Sequence, residues 1–301
     1  IIPFYNEEQN IPILLQSLNQ LECKPQQIVL VDDFSTDNSF EIAQDLCEGR
    51  QDVLIIKNEH ENGKKGALKT GILTANSPTI ITTDADCMFT PNWLSTLYAT
   101  HSQQQNKLTI GLVDYVNNGN WLSHYQWIES RALMSVGVGM FKFGYPIMCN
   151  GANLIFEKET WIAVNGYNTH QNIKSGDDIF LMHDIWRRDK ESVGLCLNSE
   201  AVVYTNTTKG FRSFMKQRKR WVAKTGRYKV AMANLFPIVI GLANLFIIYA
   251  LVCLIMKGKI ANAVGFLVLK TVIDYFTITS LKQGFASCVS FVMIMQFQLF
   301  Q

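Results

Sequence analysis

Gln27-Ile28-Val29-Leu30-Val31-Asp32-Asp33-Phe34-Ser35-Thr36-Asp37 passes directly from a β-rich apolar run into carboxylates and hydroxyls. Val53-Leu54-Ile55-Ile56 and Thr79-Ile80-Ile81-Thr82-Thr83 are runs of the same character, and helix-like stretches such as Ile11 to Leu21 and Ser39 to Cys47 alternate with the three. Such alternation predicts an α/β domain, a mostly parallel sheet wrapped by helices. Beyond Lys107 the pattern is more mixed, with an apolar, aromatic helix candidate around Trp121 to Phe141 and short strands near Leu154 and Val193. In parallel sheets the ligand site lies beyond the carboxyl ends of the strands. Two acidic clusters fall there: Asp32-Asp33 after one run and Asp84-Ala85-Asp86 after another. No GxGxxG or GxxxxGK[ST] loop is present, which disfavours a dinucleotide dehydrogenase or a P-loop enzyme.

The charge is divided along the chain. Residues 1–208 carry 14 Lys/Arg against 24 Asp/Glu, and residues 209–301 carry 13 against 1. The hydrophobic fraction of 48% excludes a disordered chain. Leu235 to Met256 is 22 residues without a formal charge, and about 20 such residues cross a bilayer as a helix. Ile260 to Leu281 is a second candidate span, interrupted by Lys270 and Asp274 one helical turn apart, and residues 285–301 form a third apolar run. Lys209 to Lys229 holds nine Lys/Arg and no acid. The positive-inside rule then predicts an integral membrane protein of a bacterial-type inner or plasma membrane, its preceding domain cytoplasmic. The expected organisation is a catalytic domain over 1–208, a basic interfacial helix over 209–234 against anionic headgroups, and a transmembrane region over 235–301. The basic segment abuts a span and lacks a nucleic-acid-binding motif, so no nucleic-acid partner is expected. Seven scattered cysteines without a CxxC pair, and five histidines without ligand spacing, read as free thiols and structural or surface rings.

Two carboxylates separated by one residue on a turn leaving a strand can hold a hard cation, Mg²⁺ or Mn²⁺, beside a diphosphate. The pair Asp177-Asp178 ahead of Ile179 to Arg188 also suits a helix N-terminus, and Ser35 and Asp37 suit a turn and cap.

Six segments in order resemble the motifs of family 2 glycosyltransferases. They are Ile2-Pro3-Phe4-Tyr5-Asn6-Glu7-Glu8, Val31 to Asp37, Asn62-Gly63-Lys64-Lys65-Gly66-Ala67-Leu68, Asp84-Ala85-Asp86, Gly176-Asp177-Asp178 and Gln217-Arg218-Lys219-Arg220-Trp221. The last matches the QxxRW signature of membrane-embedded members such as cellulose, chitin and hyaluronan synthases and ceramide glucosyltransferases. The resemblance implies a GT-A fold and inverting transfer of a sugar from a nucleoside diphosphate donor to a glycan or lipid acceptor. It assigns Tyr5, Glu7 and Asp33 to the nucleobase and ribose, Lys64 to the nucleotide's surroundings, Asp84 to the donor, and Asp86, with Asp84, to the metal. It makes Asp178 the catalytic base and Asp177 an acceptor or diphosphate contact, although Gly176-Asp177 stands where Thr-Glu or Glu-Glu is usual. Gln217, Arg220 and Trp221, at i, i+3 and i+4, share a helix face for acceptor or diphosphate, leaving Arg218, Lys219 and Lys224 for lipid. Asn150-Gly151-Ala152-Asn153 resembles the loop between donor and acceptor halves. An Asp at position 33 suits uracil and hence a UDP-sugar, with GDP-sugars still open. The rival readings are a nucleotidyltransferase on a similar fold and a membrane sensor or assembly subunit that binds a sugar nucleotide without turnover.

Overall fold

The computed structural model describes residues 1–60, 63–167, 176–281, 284, 285 and 294. In chain order the elements are β1 (Ile2–Phe4), α1 (Ile11–Asn19), β2 (Ile28–Asp32), α2 (Ser39–Leu46), β3 (Val53–Lys57), α3 (Lys64–Thr74), β4 (Thr79–Thr82), β5 (Cys87–Phe89), α4 (Trp93–Gln104), β6 (Leu108–Gly111) and β7 (Val113–Val116). They continue with α5 (Trp121–Lys142), β8 (Leu154–Glu157), α6 (Lys158–Ala163), α7 (Asp177–Arg188), β9 (Val193–Cys196), β10 (Val203–Asn206), α8 (Phe211–Val222), α9 (Ala231–Met256) and α10 (Ile260–Thr279). The chain divides into two compact units, Ile1–Val116 with Met148–Thr208, and Asn117–Ile147 with Lys209–Gln301. Helix α5, which lies within residues 1–208 of the sequence, groups with the C-terminal unit.

The first unit holds all ten strands found among the described residues. β1, β2 and β3 form a parallel sheet. β4, β8, β6 and β9 form a mixed sheet, β8 running antiparallel to both neighbours and β9 parallel to β6. Two backbone bonds of Ile1, from its nitrogen to Ile81 O (2.7 Å) and from Thr83 N–H to its carbonyl (3.2 Å), run between the start of β1 and β4. A third, mixed sheet orders β5, β10 and β7. Every residue of β2 is buried, as a continuous Val/Ile/Leu run requires when both faces are covered. α1 buries Ile11, Leu14, Leu15 and Leu18, one stripe at helical spacing. α3 approaches the sheet closely because Gly71 has no Cβ: a methyl there would come within 2.5 Å of Ile1 Cγ2 and 3.1 Å of Val31 Cγ2. Ala67 of α3 packs against Val29 and Val31 of β2, and the N–H of Gly63, just before Lys64, donates to Asp33 Oδ1 at 2.9 Å, which ties the start of α3 to the carboxyl end of β2.

The α/β class expected from the alternation is the class found. The expected strands at 27–31, 53–56 and 79–83 correspond to β2, β3 and β4, and both acidic clusters follow strand ends. The second unit contains α5, α8, α9 and α10. Asn120 caps α5, its Oδ1 accepting from Ser123 N–H at 2.8 Å. Among the described residues, α9 and α10 are long and apolar enough to cross a membrane. Lys270 Nζ meets Asp274 Oδ2 at 2.6 Å, the one-turn pair read from their spacing. The third apolar run, 285–301, lies almost wholly outside the described residues, as do Asn62 and Cys288; the other six cysteines are free thiols.

Candidate active site

The site builds from the ends of β2, β3 and β4. Asp33 follows β2 and is buried; its Oδ1 accepts from Asn58 Nδ2 at 2.8 Å and from Gly63 N–H at 2.9 Å. Asn58 also accepts from Thr70 Oγ1 (3.0 Å) and His60 N–H (2.9 Å), so Asp33 fastens the segment leading into α3. Gly63, with φ +120°, supplies the turn before Lys64, a backbone state that L side chains rarely adopt. The loops after β1 and β2 brace each other. Asn6 N–H donates to Ser35 Oγ (3.0 Å), Thr36 N–H to Asn6 Oδ1 (2.8 Å) and Glu7 N–H to Ser39 Oγ (2.7 Å). Asn6 and Phe34 both take left-handed φ angles, 54° and 60°, within this brace. Tyr5 is left 54% exposed.

Asp84 and Asp86 stand between β4 and β5. Lys64 Nζ pairs with Asp84 Oδ1 at 2.5 Å, and Thr205 Oγ1, from β10, donates to Asp86 Oδ2 at 2.9 Å. Burial and the neighbouring Asp84 charge push the Asp86 carboxyl above the ordinary carboxylate range. Glu7 is raised as well, by burial first and then by Asp86, Asp84 and Asp37, while Asn10 Nδ2 at 2.5 Å opposes the shift. Burial works against a charge on Lys64, but Asp84, Asp177 and Asp178 outweigh it and hold the ammonium above its usual value.

Asp177 and Asp178 form the first turn of α7, after Gly176 in a left-handed conformation. Acidic residues here and Arg187 and Arg188 in the last turn both complement the helix dipole. Asp177 is buried, and burial with the Asp178 charge raises its carboxyl, Lys64 acting in the other direction. Asp178 is partly exposed; Oδ1 accepts from Ile179 N–H (2.8 Å) and Oδ2 from Gly151 N–H (3.0 Å). Gly151 is fixed in turn by Thr82 Oγ1, which donates to its carbonyl at 2.8 Å. Two residues on, fully buried Asn153 donates to Leu112 O and Ala201 O, each at 2.7 Å, and accepts from Trp93 Nε1 at 3.1 Å.

One electrostatic cluster therefore unites Glu7, Lys64, Asp84, Asp86, Asp177 and Asp178, and Asp33 joins it through Gly63. Sequence reasoning missed Thr205, which sits in an unremarkable strand, and Tyr167, whose hydroxyl is raised by burial and by Asp177 and Asp178. Neither carries a motif: Thr205 joins the cluster through a bond across 119 residues, and Tyr167 through its burial beside the two charges. Asp84 and Asp86 offer hard oxygen donors on one turn, a donor set that suits Mg²⁺ or Mn²⁺ when phosphate and water complete the shell. Among the described residues, no group of three or more His, Cys, Asp or Glu is arranged to hold a metal.

Gln217, Arg220 and Trp221 lie on α8, in the second unit. Arg220 is exposed, with Arg212, Lys216 and Lys219. Arg218, expected to face lipid, does not: its guanidinium pairs with Glu129 of α5 and is largely buried, because two rings and a carboxylate surround it.

A mixed α/β sheet with carboxylates clustered at strand ends defines a protein of the GT-A class. The family model described as "Glycosyl transferase family 2" matches residues 1–159, and the chain belongs to that family. It is 28% identical over 189 residues to the undecaprenyl-phosphate 4-deoxy-4-formamido-L-arabinose transferase of Pseudomonas fluorescens (strain SBW25), covering 56% of this chain and 53% of that protein. It is 30% identical over 96 residues to the dolichyl-phosphate beta-glucosyltransferase of Mus musculus, covering 29% of this chain and 30% of that protein. The chain thus spans about half the length of the first relative and under a third of the second. The mannosyltransferase PcManGT from Pyrobaculum calidifontis, solved with GDP-Man and Mn²⁺, shares the fold with a TM-score of 0.59 at 16% identity, over 99% of this chain and 84% of that one.

Proposed function

We propose that this chain transfers a sugar, with inversion, from a nucleoside diphosphate donor to an acceptor held at a membrane. The observation that carries the reading is the convergence of Lys64, Asp84, Asp86, Asp177 and Asp178 beyond the carboxyl ends of the strands. Tyr5, Glu7 and Asp33 line the nucleotide side, with Asp33 facing the base of a UDP-sugar. Asp84 and Asp86 would hold Mg²⁺ or Mn²⁺, which when bound offsets the charge that grows on the leaving diphosphate. Lys64 contributes a fixed positive charge beside the same phosphates, and its pairing with Asp84 keeps it aimed there. Thr205 holds Asp86 in one rotamer.

Asp178 is the base. It is the more exposed of its pair, and two backbone N–H groups fix its orientation while leaving acceptor capacity for a substrate proton. Asp177, more deeply buried, raises the negative field and keeps Lys64 charged. In this reading α9 and α10 span the bilayer, exposed Arg212, Lys216, Lys219 and Arg220 on α8 meet anionic headgroups, and the catalytic unit is cytoplasmic; the length and apolarity of the two helices and the basic run before them support it. In the same reading Gln217, Arg220 and Trp221, which sit at i, i+3 and i+4 of α8, are acceptor or diphosphate contacts.

The named activities of the relatives favour a second acceptor class, the phosphate of a membrane polyprenol. The two classes differ in their need for a base. A hydroxyl must lose its proton as it attacks, whereas a phosphate oxygen is already anionic near neutral pH. Transfer to undecaprenyl phosphate and to a lipid or glycan hydroxyl, each with the wild type and Asp178→Asn, separates them. A hydroxyl acceptor predicts loss of transfer in the variant, and a phosphate acceptor predicts that most of it survives.

A further inference from the structure

The QxxRW helix has a built-in clamp that its signature does not name. Arg218, the first of the two unspecified positions, sits at the centre of a cluster drawn from α8 and α5. Its Nη2 pairs with Glu129 Oε2 on α5, and its Nη1 donates to Gln217 Oε1 at 3.1 Å. The guanidinium lies 4.2 Å from the Trp221 ring centre and 4.5 Å from that of Phe214, so it is held by two rings, one a turn before it and one a turn after it along α8. Tyr125, one turn before Glu129, meets Phe214 edge-on at 5.9 Å and 88°. The side chains of Arg218 and Glu129 are only 17% and 20% exposed. Arg218 Nε is buried and has no hydrogen-bond partner among the described residues, so the group is gripped through its Nη ends and its flat faces.

Each of these contacts bears on a residue of the signature. Gln217 has its amide oxygen occupied by Arg218, which turns the amide NH₂ to a defined direction. Trp221 has one face covered by the guanidinium, which fixes the ring plane, and the residue stays partly exposed. Glu129 anchors the clamp on a neighbouring 22-residue helix, so the orientation of Trp221 is set by α5 as well as by α8. Lysine could not do this. An ammonium can keep the ion pair with Glu129 but cannot lie flat between two rings while donating from a second nitrogen to Gln217.

We propose that Arg218, anchored by Glu129, is the positioning residue of the QxxRW helix and sets Gln217 and Trp221 for the acceptor. The inference rests on the reading of α8 as an acceptor element given above. It makes Arg218 and Glu129 act through Gln217 and Trp221 rather than on substrate.

The test uses the full chain in detergent with 5-fluorotryptophan incorporated. Fluorine NMR reports the Trp221 ring, its signal assigned by its loss in Trp221→Phe. Acceptor KM and donor KM are measured in parallel with undecaprenyl phosphate as the acceptor probe. Arg218→Lys should lower the melting temperature by only a few degrees, since the ion pair to Glu129 is kept while the ring contacts are lost. It should shift or broaden the Trp221 resonance and raise acceptor KM about threefold to tenfold with donor KM unchanged, the range expected for losing a desolvated cation–π contact. Glu129→Gln should move the same resonance and the same constant. An unmoved Trp221 signal in both variants overturns the clamp. A moved signal with acceptor KM raised in Trp221→Ala but unchanged in Arg218→Lys overturns the positioning role alone. An acceptor KM unaffected even by Trp221→Ala removes the acceptor reading of α8 and the proposal with it.

Discussion

Asn153 offers the sharpest test of how the catalytic unit is held together. Its amide donates to Leu112 O and Ala201 O at 2.7 Å and accepts from Trp93 Nε1 at 3.1 Å, all within a fully buried setting. Asn153→Ala orphans two buried polar groups, Ala201 O and Trp93 Nε1, at about 1–3 kcal/mol each, and takes one bond from Leu112 O, which keeps the N–H of Val203 at 3.1 Å; water entering the space left by the amide restores part of the loss. A destabilisation of about 3 kcal/mol lowers the melting temperature of a domain of this size by roughly 6–12 °C. Gly111 supplies an internal check, because a Cβ there would collide with the same amide. Gly111→Ala alone should destabilise by about 1–3 kcal/mol through overpacking. In the double variant the added methyl occupies the space the amide vacates, so the two losses should fall short of their sum by about 1 kcal/mol or more. Melting of the full chain in detergent, followed by tryptophan fluorescence, measures all three. A shift below about 2 °C for Asn153→Ala, or strictly additive losses, would refute the hub. The consequence reaches the site, since Asn153 stands two residues from Gly151, whose N–H orients Asp178.

Three further outcomes follow from the site and the core. Asp178→Asn cannot be silent structurally: both carboxylate oxygens accept backbone N–H groups, so the new NH₂ must face one of them. It should melt lower by the worth of one hydrogen bond, about 1 kcal/mol, and lose transfer to a hydroxyl acceptor by ~100-fold or more while calorimetry still detects nucleotide binding. Thr205→Val removes the hydroxyl that Asp86 accepts, so the Mg²⁺ concentration for half-maximal turnover should rise about tenfold; a titration with an unchanged midpoint contradicts the role given to Thr205. His101 is buried against Thr109 Oγ1 at 2.9 Å, and burial lowers its proton affinity, Lys107 adding to the effect and Glu157 opposing it. The unfolded state therefore binds the proton more readily, and the stability contributed by neutral His101 is complete above the ordinary value near 6.5 and declines as pH falls below it. Wild type should lose more melting temperature than His101→Gln between pH 7.5 and 5.5, and equal losses would count against this linkage.

The strand runs at 28–32, 53–57 and 79–82 were legible because short runs rich in β-branched residues and acidic strand ends are local signals. Lys64, Asp84, Asp86, Asp177 and Asp178 were legible as separate motifs; their meeting in one cluster depends on how α3 docks over β2, which Gly71 permits. Thr205 and Tyr167 were not legible as site residues, since one acts across 119 residues and the other through burial that no short pattern encodes. Asn153 was legible only as part of the loop from Asn150, because its bonds to Leu112 and Ala201, 41 and 48 residues away, depend on the fold. Arg218 was misread for a related reason. Its place within a basic run suggested a lipid-facing charge, and only the carboxylate of Glu129, 89 residues away, turns it inward.

The central claim is metal-assisted turnover of a sugar nucleotide at the Asp84, Asp86 and Asp178 cluster. The most direct measurement is nucleoside diphosphate release from a panel of UDP- and GDP-sugars by the full chain in membranes, with Mg²⁺ or Mn²⁺, with EDTA, and with Asp86→Asn. The account predicts release from one donor that EDTA abolishes and Asp86→Asn reduces by ~100-fold or more. Neither release nor binding with any donor, or release indifferent to both EDTA and Asp86→Asn, would contradict it.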